Sequence, residues 1–234
     1  MGAHVPRLGD GYLQYLWGEF DSHCLHQKNC YMRKIILLLL SVVLLTSFST
    51  PPLRVLFIGD SLTCYTGGWQ DMVSKHFGYQ SLNKSSGGKR TDWMRLTLND
   101  HLKRDSMFTS VFIYGGCNDA FSYVNLQGAV NNIQMMVDSC NRRGIRPIVI
   151  VGYDPIKVMV RTVYGTETTD RCRARYVEFQ KLMVDPKTGL KNCLIIPKDT
   201  SVTFKDAGDG VHISLSGQKK FADWVIKHLW KNIL

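Results

Sequence analysis

The chain has 234 residues, 44% of them hydrophobic and 11% aromatic, which suits one ordinary globular domain with a real core plus an extension. No apolar run reaches the roughly 18 residues of a comfortable membrane span, and none of the seven cysteines forms a CxxC pair, which argues against a zinc or thioredoxin-like site. The formal charge is +10 at pH 7, but Lys and Arg are scattered, and without a zinc-finger, RNP-like or arginine-rich stretch the basic balance reads as a solvated surface, not a nucleic-acid site.

Residues 35–45, IILLLLSVVLL, form an apolar stretch, with Arg33 and Lys34 just before it. Ser47-Phe48-Ser49 then places small residues at the two positions a signal peptidase inspects, and Pro51-Pro52 breaks any helix. Residues 32–50 therefore read as a secretory signal, and the protein is expected to be secreted or periplasmic. The alternative is an uncleaved N-terminal anchor, with membrane association through the same segment. Met32 stands where such a signal would begin, so residues 1–31 read as an upstream extension from a misassigned start. Cys24 and Cys30 fall in that extension, leaving five cysteines, an odd number that implies a free thiol unless one pairs between chains. The domain proper is expected over residues 53–234.

From Leu53 onward strands and helices alternate. Residues 54–58, RVLFI, are a short apolar run ended by Gly59, as in a buried parallel strand. A helix follows over 68–77, with Trp69, Met72, Val73 and Phe77 at helical spacing. Next come a short strand over 79–84, a helix over 91–103, and a strand over 110–114 stopped by Gly115-Gly116. Residues 125–142 form a helix with Leu126, Val130, Ile133, Met136 and Val137 on one face and Gly144 at its C′ position. A strand over 147–151 and a helix over 170–184, with Tyr176, Phe179 and Met183 toward the core, precede the last strand over 193–196. The closing helix, 215–232, has Ser214 as N-cap and Phe221, Val225, His228 and Leu229 on one face. Five strands alternating with helices predict an α/β fold: a three-layer α/β/α flavodoxin-like sandwich with a parallel sheet in the order 2-1-3-4-5. Residues 154–169 are the one long irregular connection, beyond the C-terminal end of a strand, where ligand-contacting loops gather.

Ligands of an open parallel sheet bind beyond the C-terminal strand ends, where the strand order reverses. There the first strand leads into Gly59-Asp60-Ser61-Leu62 and the third into Gly115-Gly116-Cys117-Asn118-Asp119, so a hydroxyl and a carboxamide face one crevice. Serine needs an imidazole base, and usually a carboxylate to orient it. His4, His23 and His26 lie in the extension, His76, His101 and His228 within expected helices. His212 alone lies in a loop after the last strand, with Asp209 three residues earlier and Gly210 permitting a tight bend between them.

Phe57-Ile58-Gly59-Asp60-Ser61-Leu62 resembles the first block of the GDSL, or SGNH, hydrolase family. Gly116-Cys117-Asn118-Asp119 is similar to its G-x-N-D block, Asp209-Gly210-Val211-His212 to its closing D-x-x-H block, and Ser86-Gly87-Gly88 to its glycine block. The resemblance covers residues 53–234. It implies Ser61 as nucleophile, His212 as base and Asp209 as its orienting partner. It further implies an oxyanion hole from the N–H groups of Ser61 and Gly87 and the Asn118 side chain, with no metal and no organic cofactor. Asp60 and Asp119 are expected to fix loops by accepting hydrogen bonds, and Cys64 and Cys117 to line the pocket or the core.

The reading is a serine ester hydrolase, with removal of acetyl or other short acyl groups from a carbohydrate as the first choice. Lysophospholipase or thioesterase activity on lipid acyl esters is the alternative. A binding module that holds phosphate with Ser61, Thr63 and nearby N–H groups, or one that only binds glycan, represents a different class.

Overall fold

Four short runs rich in Val, Ile, Leu and Phe, joined by one polar edge strand, form one sheet, because the apolar runs need cover on both faces and the intervening segments are long enough to be helices. The computed structural model describes residues 32–38, 52–105, 107–153, 169–206 and 211–233. The strands are β1 (Arg54–Gly59), β2 (Gln80–Asn83), β3 (Ser110–Tyr114), β4 (Arg146–Ile150) and β5 (Leu194–Ile196). All pair in parallel, in the order β2-β1-β3-β4-β5. Register runs through the centre as Phe57 beside Phe112 and Phe112 beside Ile148.

The helices are α1 (Trp69–Phe77), α2 (Thr91–Arg104), α3 (Cys117–Phe121), α4 (Leu126–Asn141), α5 (Thr169–Val184) and α6 (Leu215–Ile233). Helix α1 packs against α6, while α2, α4 and α5 pack in a second group. Phe112 stacks on Phe57, Phe57 and Tyr114 meet Trp69 of α1 edge-on, and Phe221 of α6 packs on both Trp69 and Tyr114. By strand alternation Leu56, Ile58, Val111 and Ile113 point to the opposite face. The three-layer α/β/α architecture and its strand order are as the alternation of elements implies.

Local differences have local causes. Strand β2 is an edge, partly exposed and confined to Gln80–Asn83. Gly144 has φ 68° but stands one position beyond C′. Arg142 keeps a right-handed helical conformation, and the N–H groups of Arg143 and Gly144 reach the carbonyls of Cys140 and Asn141, adding a tighter final turn. His228 lies at the margin of the α6 core face, half-buried, its ring 4.3 Å from that of Trp224. Helix α3 has five residues, too few for an apolar period to show in the sequence.

The chain divides into two units, residues 1–51 and 52–234. In the first, residues 32–38 are helical and exposed. Residues 1–31 and 39–51 lie outside the described residues. No helix among the described residues is long and apolar enough to cross a membrane.

Candidate active site

The turn that carries Ser61 begins where β1 ends. A Cβ on Gly59 would stand 2.3 Å from the Tyr114 carbonyl oxygen, so only glycine lets β1 lie this close to β3 and turn at once. Asp60 is fully buried, and its Oδ1 accepts the Leu62 N–H at 2.9 Å, a side-chain-closed turn that lifts Ser61 to its outer corner. The Thr63 N–H reaches the Asp60 carbonyl at 3.1 Å, and the Thr63 hydroxyl donates to the Tyr114 carbonyl at 3.3 Å. Thr63 is 1% exposed, so its hydroxyl is a strut of the turn and not a phosphate ligand, which corrects that part of the binding-module reading.

Trp69 braces the same turn. Its indole N–H donates to the Leu62 carbonyl at 2.9 Å, and its buried backbone N–H, without an intrahelical partner at the start of α1, finds Gln218 Oε1 of α6 at 3.0 Å. Trp69→Phe keeps an aromatic ring but orphans the buried Leu62 carbonyl. It is expected to cost about 2 kcal/mol in urea unfolding, and an unchanged midpoint would show that the bond does not hold the turn.

Gly116 launches α3 from the end of β3 with φ 102°, and a Cβ there would lie 2.2 Å from the Phe179 ring. Helix α3 thus starts at once and presents Asn118, half-buried, to the crevice. The Asn118 Nδ2 donates to the Lys89 carbonyl at 3.0 Å, which fixes the carboxamide and leaves its second N–H for a ligand. Asp119 is buried and accepts from both the N–H and the hydroxyl of Thr91, at 2.9 and 2.7 Å, capping α2, which has no side-chain cap of its own. Both aspartates thus fix loops through these contacts.

His212 lies in the loop before α6, with Nε2 2.9 Å from Ser61 Oγ. That loop is held from several sides. Tyr153 donates its hydroxyl to the Val211 carbonyl at 2.6 Å, the Ser214 N–H reaches the Asp206 carbonyl at 2.6 Å, and Lys220 pairs with Asp206 at 2.9 Å. The exposed ring of Tyr65 stands edge-on to His212 at 5.9 Å. Asp209 and Gly210 lie outside the described residues, as do residues 154–168 of the long connection.

Of the two glycines in Ser86-Gly87-Gly88, Gly87 is the one beside the serine: a Cβ built on it would stand 3.9 Å from Ser61 Cβ, whereas one on Gly88 meets nothing within 4 Å. His212 and Gly87 therefore stand beside Ser61 at the end of β1, and Asn118 follows the end of the neighbouring strand β3, at the switch point of the sheet. Tyr65, Trp69, Tyr153 and Gln218, which support it, were not singled out for this role by sequence. Tyr153 alone carried a signal, its place just beyond the C-terminal end of β4.

Burial pushes the Asp60 carboxyl up to about 7, against the opposing pull of the Leu62 N–H. Burial likewise raises the Asp119 carboxyl, offset in part by Thr91. The Cys64 thiol is raised by burial and then by the Asp60 charge, so it stays protonated at neutral pH and is a poor nucleophile beside the serine. Cys117 is buried. Among the described residues no cluster of three or more His, Cys, Asp or Glu could hold a metal ion.

No family model and no curated protein matches this sequence. Solved structures do match. An esterase, EstA, from Pseudoalteromonas sp. shares 14% identity over 77% of this chain and 98% of its own, with a TM-score of 0.52. An SGNH hydrolase from Slackia heliotrinireducens shares 15% over 76% of this chain and 100% of its own, with a TM-score of 0.60. An acetyl xylan esterase shares 17% over 78% of this chain and 100% of its own, with a TM-score of 0.54. Residues 52–234 thus adopt the fold of the SGNH and GDSL hydrolases.

Proposed function

We propose that the protein is a serine ester hydrolase of the SGNH type, acting on a carbohydrate that carries acetyl or another short acyl group. The 2.9 Å contact between His212 Nε2 and Ser61 Oγ, at a crevice that also holds Asn118, carries this reading. His212 takes the Ser61 proton as Oγ attacks the ester carbonyl. The same proton then goes to the departing alcohol oxygen, leaving an acyl group on Ser61, and a water activated by His212 releases the acid. The negative oxygen of the tetrahedral intermediate is met by the N–H groups of Ser61 and Gly87 and by the free N–H of Asn118. Asp209, three residues before His212, is the proposed partner that orients the ring. The basic and apolar run over residues 33–45 supports export.

The similarity to an acetyl xylan esterase supports the choice of a small acyl group. The test is a series of p-nitrophenyl esters from acetate to palmitate, with fluorophosphonate labelling mapped by mass spectrometry. The expected result is a kcat/KM maximum at acetate and the label on Ser61. A long-chain optimum would transfer the substrate to the lipid class, whereas no turnover of any ester and no label on Ser61 would refute the hydrolase itself.

A further inference from the structure

Beside the backbone that carries Gly87 lies an open groove of about 420 Å³, its polar lining Lys89, Arg90, Asp92 and Ser122 and its apolar lining Trp93 and Leu96. Its size is within the range of small-molecule sites. The backbone joins it directly to the reacting centre. Gly87, two residues before Lys89, stands against Ser61, and the Lys89 carbonyl accepts the Asn118 amide at 3.0 Å. Ser122 closes the helix that carries Asn118. A substrate held at Ser61 can therefore extend into this groove.

The lining chemistry selects which part of the substrate that is. The Arg90 guanidinium is balanced by Asp92 at 3.0 Å. Lys89 has no carboxylate partner among the described residues, and its ammonium lies 5.6 Å from the centroid of the half-buried Trp93 ring. An acyl chain here would strip water from two cations and offer them no hydrogen bond. A hydroxylated ring keeps those groups bonded, while its C–H face covers the indole. A carboxylate on that ring gives Lys89 its counter-charge, and the overall charge of +10 draws such a substrate in from a distance.

We propose that this groove binds the alcohol half of the ester and that this half is an acidic saccharide, its ring on Trp93 and its carboxylate at Lys89. The proposal rests on the hydrolase reading above. The test compares O-acetylated xylo-oligosaccharides of equal length with and without a uronic acid branch. The acidic substrate is expected to be preferred about fivefold in kcat/KM at low ionic strength, a preference that fades toward unity at about 1 M salt. Lys89→Gln is expected to abolish the preference through KM, and Trp93→Ala to raise KM for both saccharides about tenfold, with recovery in Trp93→Tyr. A Lys89→Gln variant that keeps the preference, or that loses kcat equally on both substrates, would overturn the proposal. If the wild type turns over no ester, the two oligosaccharides are titrated against Ser61→Ala with and without Lys89→Gln. Acid-selective binding that depends on Lys89 would keep the groove and refute the hydrolase, whereas equal binding of both saccharides would refute the groove.

Discussion

Ser61→Ala and His212→Ala are each expected to lower kcat for p-nitrophenyl acetate by on the order of 10⁴-fold, and the double variant by little more than the larger single loss. In the proposed mechanism the two atoms, 2.9 Å apart, act as one proton-transfer unit. Among the described residues no other side chain bonds the Ser61 hydroxyl once the imidazole is gone, since Asp60 Oδ1 is turned inward to Leu62 and Asn118 Nδ2 is a donor held by the Lys89 carbonyl. Without the hydroxyl the imidazole has nothing to activate but water. Losses that multiplied in the double variant would show that the two residues act in separate steps. Residual turnover in both single variants is expected from the N–H groups of Ser61 and Gly87 and from Asn118, which stay in place to meet an oxyanion. Equal unfolding midpoints for wild type and variants are the control, because both side chains are half-buried and lie outside the packed core.

The residues that could do chemistry were legible because the fold itself was. Apolar runs of five or six residues ending in glycine placed Ser61 and Asn118 at the ends of β1 and β3, and the strand order brought those ends side by side. The supports of the crevice left no such trace. Gln218 caps α1 from 149 residues away, and Tyr153 holds the His212 loop across 58. Neither α1 nor α2 has a side-chain N-cap of its own, so neither start carries a sequence signature. Gln218 and Asp119 supply the missing acceptors from other elements, a long-range contact that spacing along the chain does not encode. The same holds for the groove, where Lys89 and Arg90 read only as a basic pair until the fold set them beside Trp93 and the Asn118 helix.

Between pH 4 and pH 8 the wild type is expected to lose about 4 kcal/mol of unfolding free energy relative to Asp60→Asn. Asp60 is fully buried, its Oδ2 has no hydrogen-bond partner among the described residues, and its carboxyl is pushed up to about 7. The groups that face it are the Leu62 and Cys117 N–H groups and His212, which lower it, and Asp119, which raises it, together with Cys64, Tyr114 and Tyr176. Below about pH 4 the carboxyl is protonated in both folded and unfolded chains and has no effect on stability. Above that the unfolded chain releases its proton while the folded one retains it, so the unfolded state binds fewer protons and stability falls as pH rises. The fall ends once the folded carboxyl has also ionised, above about 7. Asparagine keeps an oxygen for the Leu62 N–H, preserving the turn that presents Ser61, and has no proton to lose. Urea unfolding of both proteins at each pH unit from 4 to 8 reads the difference directly. Curves that stay parallel throughout would show that Asp60 ionises at an ordinary carboxylate pH, and that its burial is compensated by a partner for Oδ2. Curves that diverge would show that the Gly-Asp-Ser turn holds an aspartate for its shape, at a site that resists its charge.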